Sequence, residues 1–122
     1  MLGGMTDILG FQVVVDCREP HVLADWWAET LGWDVEPQDA AFIRSMVEKG
    51  FATEAETTTH RGNLVWATGS AINPPAGSTA PRVLFQHAAE EKAVKNRLHL
   101  DLRGSSDIEA LRSSLESRGA TR

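Results

Sequence analysis

FQVVVDC, Phe11 to Cys17, is the stretch on which the fold turns. Its valines favour extended backbone, since β-branched side chains pack well on a pleated surface, and the run is too short for a helix. Alternation gives it two faces, Phe11, Val13 and Val15 on one and Gln12, Val14 and Asp16 on the other. Pro20 then suits a first helical turn, Leu23, Trp26, Trp27, Thr30 and Leu31 recur at helical spacing, and Gly32 can close the helix in the left-handed conformation. A strand followed by a helix is predicted.

The same order returns near the other end. RLHLDLR, Arg97 to Arg103, alternates apolar and polar residues, with Leu98, Leu100 and Leu102 opposite His99, Asp101 and Arg103, and predicts a strand. Ser106 and Glu109 have capping-box spacing ahead of a helix carrying Ile108, Leu111 and Leu115 and closing near Gly119. Setting Gln12 against His99 aligns the two strand-helix units as a degenerate repeat, a similarity that any two such units can also reach by chance.

Between them, WDVE (Trp33 to Glu36) reads as a short strand, and Asp39 caps a helix with Phe42, Ile43, Met46 and Val47 on one face, ending at Gly50. ATEAETTTHRG reads as a polar loop. Leu64 to Ala67 reads as a strand that Gly69-Ser70 turns into a hairpin with Ala71 and Ile72. NPPAGSTAP (Asn73 to Pro81) is a loop, and RVLFQ (Arg82 to Gln86) a further strand.

The chain of 122 residues fits one domain with its own core. Its single cysteine, Cys17, rules out an intrachain disulfide framework and suits a reducing, cytoplasmic setting. MLGGMTDILG lacks the basic and apolar regions of an export signal, and no apolar run reaches bilayer length, so a soluble protein without membrane contact is expected. A net charge of -5 argues against nucleic acid, because duplex binding relies on clustered Lys and Arg; Lys92, Lys95 and Arg97 stand beside Glu90 and Glu91 as a solvated connector. No nucleophile elbow, phosphate loop, HExxH or CxxC pattern is present.

FQVVVDC followed by DWWAETLGW, then GNLVWATG, RVLFQ and KNRLHLDLR, resembles the glyoxalase-like domains of the vicinal-oxygen-chelate superfamily, which includes bleomycin-resistance-like members, from about Leu9 onwards. The KNRLHLDL string is the most specific part. The resemblance implies an α+β fold of paired βαβββ modules whose mixed sheet curls around a cavity. The first module would span about 9–88 and a partial second module about 96–122. It also implies a divalent metal such as Zn, Ni, Mn or Fe. By position Gln12 matches the first-strand ligand, His99 its partner in the second module, and Gln86 falls where a Glu is usual. That Gln departs from the pattern, because a neutral amide oxygen is a poorer ligand than a carboxylate. The family would continue beyond RGATR through three more strands, supplied by a longer chain, by another copy, or not at all. An open sheet edge favours a homodimer.

The polar strand faces would meet across the concave side of the sheet as a small-molecule pocket. His99 is the candidate catalytic residue, as a neutral imidazole can ligate a metal or accept a proton, although a histidine on a half-exposed strand also serves simply as a solvated side chain. Asp101 could orient it and line the pocket rim. Trp66 is the best aromatic candidate for stacking on a planar ligand, whereas Trp26 and Trp27 read as core. His87 could approach the rim, while His21 and His60 form no recognised metal spacing. Three functions compete: a metal-free binder of an aromatic or antibiotic-like ligand, a metal-dependent isomerase or lyase acting on vicinal oxygens, and a domain with a vestigial pocket.

Overall fold

The computed structural model describes residues 9–122. The reading of an absent export signal falls mostly on residues 1–8, outside the described residues. The chain divides into two compact units, one ending at Ala89 and the other running from Glu90 to Arg122.

In the first unit, β1 (Val13–Cys17) leads into α1 (Pro20–Leu31) and the two-residue strand β2 (Asp34–Val35). α2 (Ala40–Glu48) follows, then β3 (Thr57–His60), β4 (Asn63–Trp66), β5 (Gly69–Asn73) and β6 (Val83–His87). The boundaries have local causes. Pro20 occupies the start of α1 and Gly32 ends it at a φ of 71°, the left-handed position that glycine adopts freely. The Asp39 carboxylate accepts from the backbone N–H groups of Ala41 and Phe42, satisfying two donors that an uncapped helix would leave open.

Four strands form one mixed sheet in the order β1-β6-β5-β2. β1 runs parallel to β6, with Val13 opposite Val83 and Cys17 opposite His87, and the other two pairings are antiparallel. α1 covers one face. There Ala24 and Ala28 meet Ile72, Val83 and Phe85, and Trp27, Leu31 and Trp33 pack around them. The two alanines let the helix come close to the sheet, so the large side chain at the contact is Phe85, 1% exposed. The alternation expected for β1 holds: Val13, Val15 and Cys17 are half-buried while Val14 and Asp16 are exposed. The second face therefore carries Gln12, Val14 and Asp16 beside Arg82, Leu84 and Gln86.

Several expectations are corrected. ATEAETTTHRG is not simply a loop, because Thr57–His60 pairs antiparallel with Asn63–Trp66 in a separate two-stranded sheet. Arg61 and Gly62 form the connection at φ 51° and 81°, the doubly left-handed turn that matches strand twist in two-residue hairpins. Consequently β4 does not turn back onto Ala71 and Ile72, and Gly69-Ser70 lies inside β5 rather than in a turn. Burial of Ile43 alone among the apolar residues of α2 leaves Phe42 exposed.

In the second unit, α3 (Ile108–Ser117) forms as expected, but Asp107 caps it, its carboxylate accepting from the Ala110 N–H, in place of Ser106. Residues 97–103 form no strand. Alternation supplies the two faces, yet a strand also needs a ladder partner and a cover for its apolar face. Leu98 is 86% exposed, Leu100 is exposed and only Leu102 is half-buried, and among the described residues no strand pairs with this segment.

Candidate functional site

The uncovered face of the four-stranded sheet holds a cleft of about 490 Å³, lined among others by Trp66, Arg82, Leu84, Gln86 and His87. Two residues expected at a pocket, Trp66 and Gln86, thus meet there, with His87 at the rim. What positions Trp66 is an amide that sequence reasoning missed. Gln38 accepts from the Trp66 backbone N–H at 2.7 Å through Oε1 and donates to the Gly69 carbonyl at 2.9 Å through Nε2. One side chain therefore ties β4 to β5 at the cleft, with both ends of the amide satisfied.

A second missed group spans the same face. Arg82 donates from Nε to Glu36 Oε2 at 2.6 Å and from Nη1 to Gln12 Oε1 at 2.7 Å, while Asn73 donates to the same Glu36 oxygen at 3.2 Å. The hydrogen bond from Arg82 holds the Glu36 carboxyl below its ordinary value of 4.5; burial opposes this and Asn73 assists it. A lowered carboxyl contributes stability that is full above the unfolded value and is lost as pH falls through the folded one. Glu36 is 40% exposed, so solvent screening keeps the pair to about 0.2–1 kcal/mol. Acid unfolding followed by circular dichroism is expected to show Arg82→Gln less stable than wild type by that amount above pH 4.5, the gap closing below it.

Gln12 stands one position before the Val13–Val83 pair and so faces Arg82, whereas Gln86 pairs with Asp16. The levels of the two glutamines are four strand steps apart, about 13 Å at ordinary strand rise. The structure does not bring them together as ligands of one ion. The amide oxygen that Gln12 would offer a cation already receives the Arg82 guanidinium, and a metal there would have to displace it. Among the described residues no group of three or more His, Cys, Asp or Glu is placed to hold a metal ion. The side chains around Gln12 thus do not fit a resident cation. His99 and Asp101 lie in the second unit, 76% and 78% exposed, with His99 Nδ1 and Asp101 Oδ1 3.3 Å apart, beyond a strong hydrogen bond.

Cys17 is half-buried, and burial pushes its thiol up, away from the thiolate a nucleophile would need. Among the described residues no helix is long and apolar enough to cross a membrane.

Searches of curated proteins and of solved structures return no match to this chain. A family model described as glyoxalase-like domain matches residues 12–122. That span takes in β1, α1, the cleft and α3, and by it the chain belongs to the glyoxalase-like domain family.

Proposed function

We propose that the protein binds a small, planar organic molecule in the cleft of the uncovered sheet face, through Trp66, Gln86 and the Arg82 guanidinium. The observation that carries this reading is the cleft itself, where an aromatic side chain and a few polar groups converge on a concave surface, as in small-molecule sites. Trp66 supplies a stacking face, Gln86 an amide that can donate or accept, and Arg82 the guanidinium N–H groups not given to Glu36 and Gln12, suited to a ligand carboxylate or enolate oxygen. The alternative, a metal-dependent isomerase or lyase using Gln12, Gln86 and His99, has less support, because Arg82 occupies Gln12 and the glutamines stand at different levels of the sheet.

In the same proposal, the first unit is one complete βαβββ module with an inserted helix and hairpin, and residues 96–122 begin a second. β1 is an edge strand of its sheet, a row of N–H and C=O groups open to pairing, which supports a homodimer. The cytoplasmic setting rests on the single cysteine.

The test is a titration of benzoate, indole-3-carboxylate and phenol by ligand-detected NMR, alongside solution mass by light scattering. Trp66→Ala is expected to weaken the best probe by about tenfold, the 1.4 kcal/mol of a lost aromatic stack and its buried area. Equal binding to wild type and Trp66→Ala would remove the cleft as the site. A mass of twice 13.3 kDa supports the dimer, and the single-chain mass overturns it.

A further inference from the structure

His21 and His60, which no sequence spacing connects, meet where α1 faces the β3–β4 hairpin. His21 stands in the first turn of α1 and His60 ends β3. Their ring centroids are 5.1 Å apart and their planes tilt by 30°. His21 Nε2 lies 2.7 Å from the Trp66 carbonyl oxygen, which can only accept, so Nε2 carries the hydrogen. His60 Nε2 lies 2.6 Å from Asp25 Oδ2, and the same oxygen accepts from Arg61 Nε at 2.9 Å. Each ring therefore has Nε2–H anchored to an oxygen, and in its neutral form Nδ1 is the lone-pair nitrogen.

A carbonyl or carboxylate holding one ring N–H and leaving the other nitrogen basic is the outer-partner pattern of metal-ligating imidazoles. The spacing agrees with it. Two imidazoles bound to one ion at about 2.0–2.1 Å and near-tetrahedral angle put their ring centroids about 5 Å apart. Both rings are half-buried and border one cleft of about 250 Å³, which Arg18, Glu19 and His87 also line. The carboxylate of Asp25 offsets the Arg61 charge, so the guanidinium does not stand unopposed beside the rings.

We propose that His21 and His60 form a two-imidazole clip for a divalent d-block cation such as Zn²⁺, Ni²⁺ or Cu²⁺. Water or a ligand fills the remaining positions, and Asp25 acts as a positioning residue through His60. Imidazole nitrogens suit these ions, unlike Mg²⁺ or Ca²⁺. The clip uses neither Gln12 nor His99 as a ligand, and by tying α1 to the hairpin it would stabilise the folded chain when loaded.

Calorimetry on the full chain with Zn²⁺, Ni²⁺ and Cu²⁺ in turn is expected to show one ion per chain. His21→Ala and His60→Ala should each weaken it by about 30-fold or more and Asp25→Asn by about tenfold, within the range lost on removing an outer partner of a ligand. Gln12→Ala and His99→Ala should leave it unchanged. In wild type, substoichiometric Cu²⁺ should broaden the imidazole C–H signals of His21 and His60 first, with His87, which borders the same cleft, following and His99 last, a readout that needs neither ligand variant to fold. Earlier broadening of His87 or His99, wild-type affinity in the His21→Ala, His60→Ala double variant, or no uptake of any of the three ions would each overturn the clip.

Discussion

Phe85→Ala is expected to destabilise the protein by about 3–5 kcal/mol, a large part of the stability of an ordinary domain. Phe85 sits in β6, one of the two strands paired on both sides, opposite Val15 of β1 and Ser70 of β5. Its side chain is 1% exposed and packs beneath Ala24 and Ala28, residues too small to fill the space it would leave. The loss is therefore a transfer term plus a cavity that the paired strands on either side cannot close. Urea unfolding by circular dichroism should show a lower midpoint with little change in slope, if the variant folds at all. Leu84→Ala, one residue away on the uncovered and partly exposed face, should cost much less. Equal costs for the two would mean that α1 does not cover the face assigned to it.

How far the fold was legible depends on whether each element announces itself locally. β1, α1, the capped α2 and β6 do so through valine content, helical spacing, Asp39 and Gly32, and each lies within a residue or two of its expected bounds. The hairpin β3–β4 did not, since Thr57, Thr58 and Thr59 show no apolar alternation. The usable signals were their β-branching and the Arg61-Gly62 pair between two short runs. The segment 97–103 shows the opposite error, a clear alternation that pairs with no strand among the described residues.

The candidate site divides in the same way. Trp66, Gln86 and His87 could be placed near a pocket because each follows from a strand or its end. Arg82, Glu36 and Gln38 could not, since their hydrogen bonds join residues 28 to 70 positions apart and leave no trace in local spacing. Asp25, His21 and His60 come together across similar separations, which explains why two histidines without a motif become neighbours in space. Gln12 lies one residue before β1 and faces Arg82, so what stands opposite it is a guanidinium rather than a second ligand.

Gly69→Ala should then damage stability and the cleft together. Gly69 begins β5 opposite Gln86, and its φ lies outside the left-handed region, so backbone freedom is not why glycine stands there. The reason is proximity: a Cβ would lie 2.8 Å from the Phe85 carbonyl oxygen and 3.3 Å from Leu84 Cδ1. The leucine tip can turn aside, but the carbonyl belongs to the central strand and moves only if β6 moves with it. Such overpacking costs about 1–3 kcal/mol, which for a unit of this size lowers Tm by several degrees or more. The same shift reaches the ligand site, because the Gly69 carbonyl holds Gln38, and Gln38 in turn holds the Trp66 backbone. Thermal melts and probe titration of Gly69→Ala beside Thr79→Ala, an exposed position in the loop between β5 and β6 expected to stay within about 0.5 kcal/mol of wild type, separate the effects. A lower Tm with weakened probe binding in Gly69→Ala alone agrees with a cleft built on this contact. A lower Tm with unaltered binding would detach Trp66 from the Gln38 bridge, and an unchanged Tm would show that β5 and β6 do not approach as closely as their register requires.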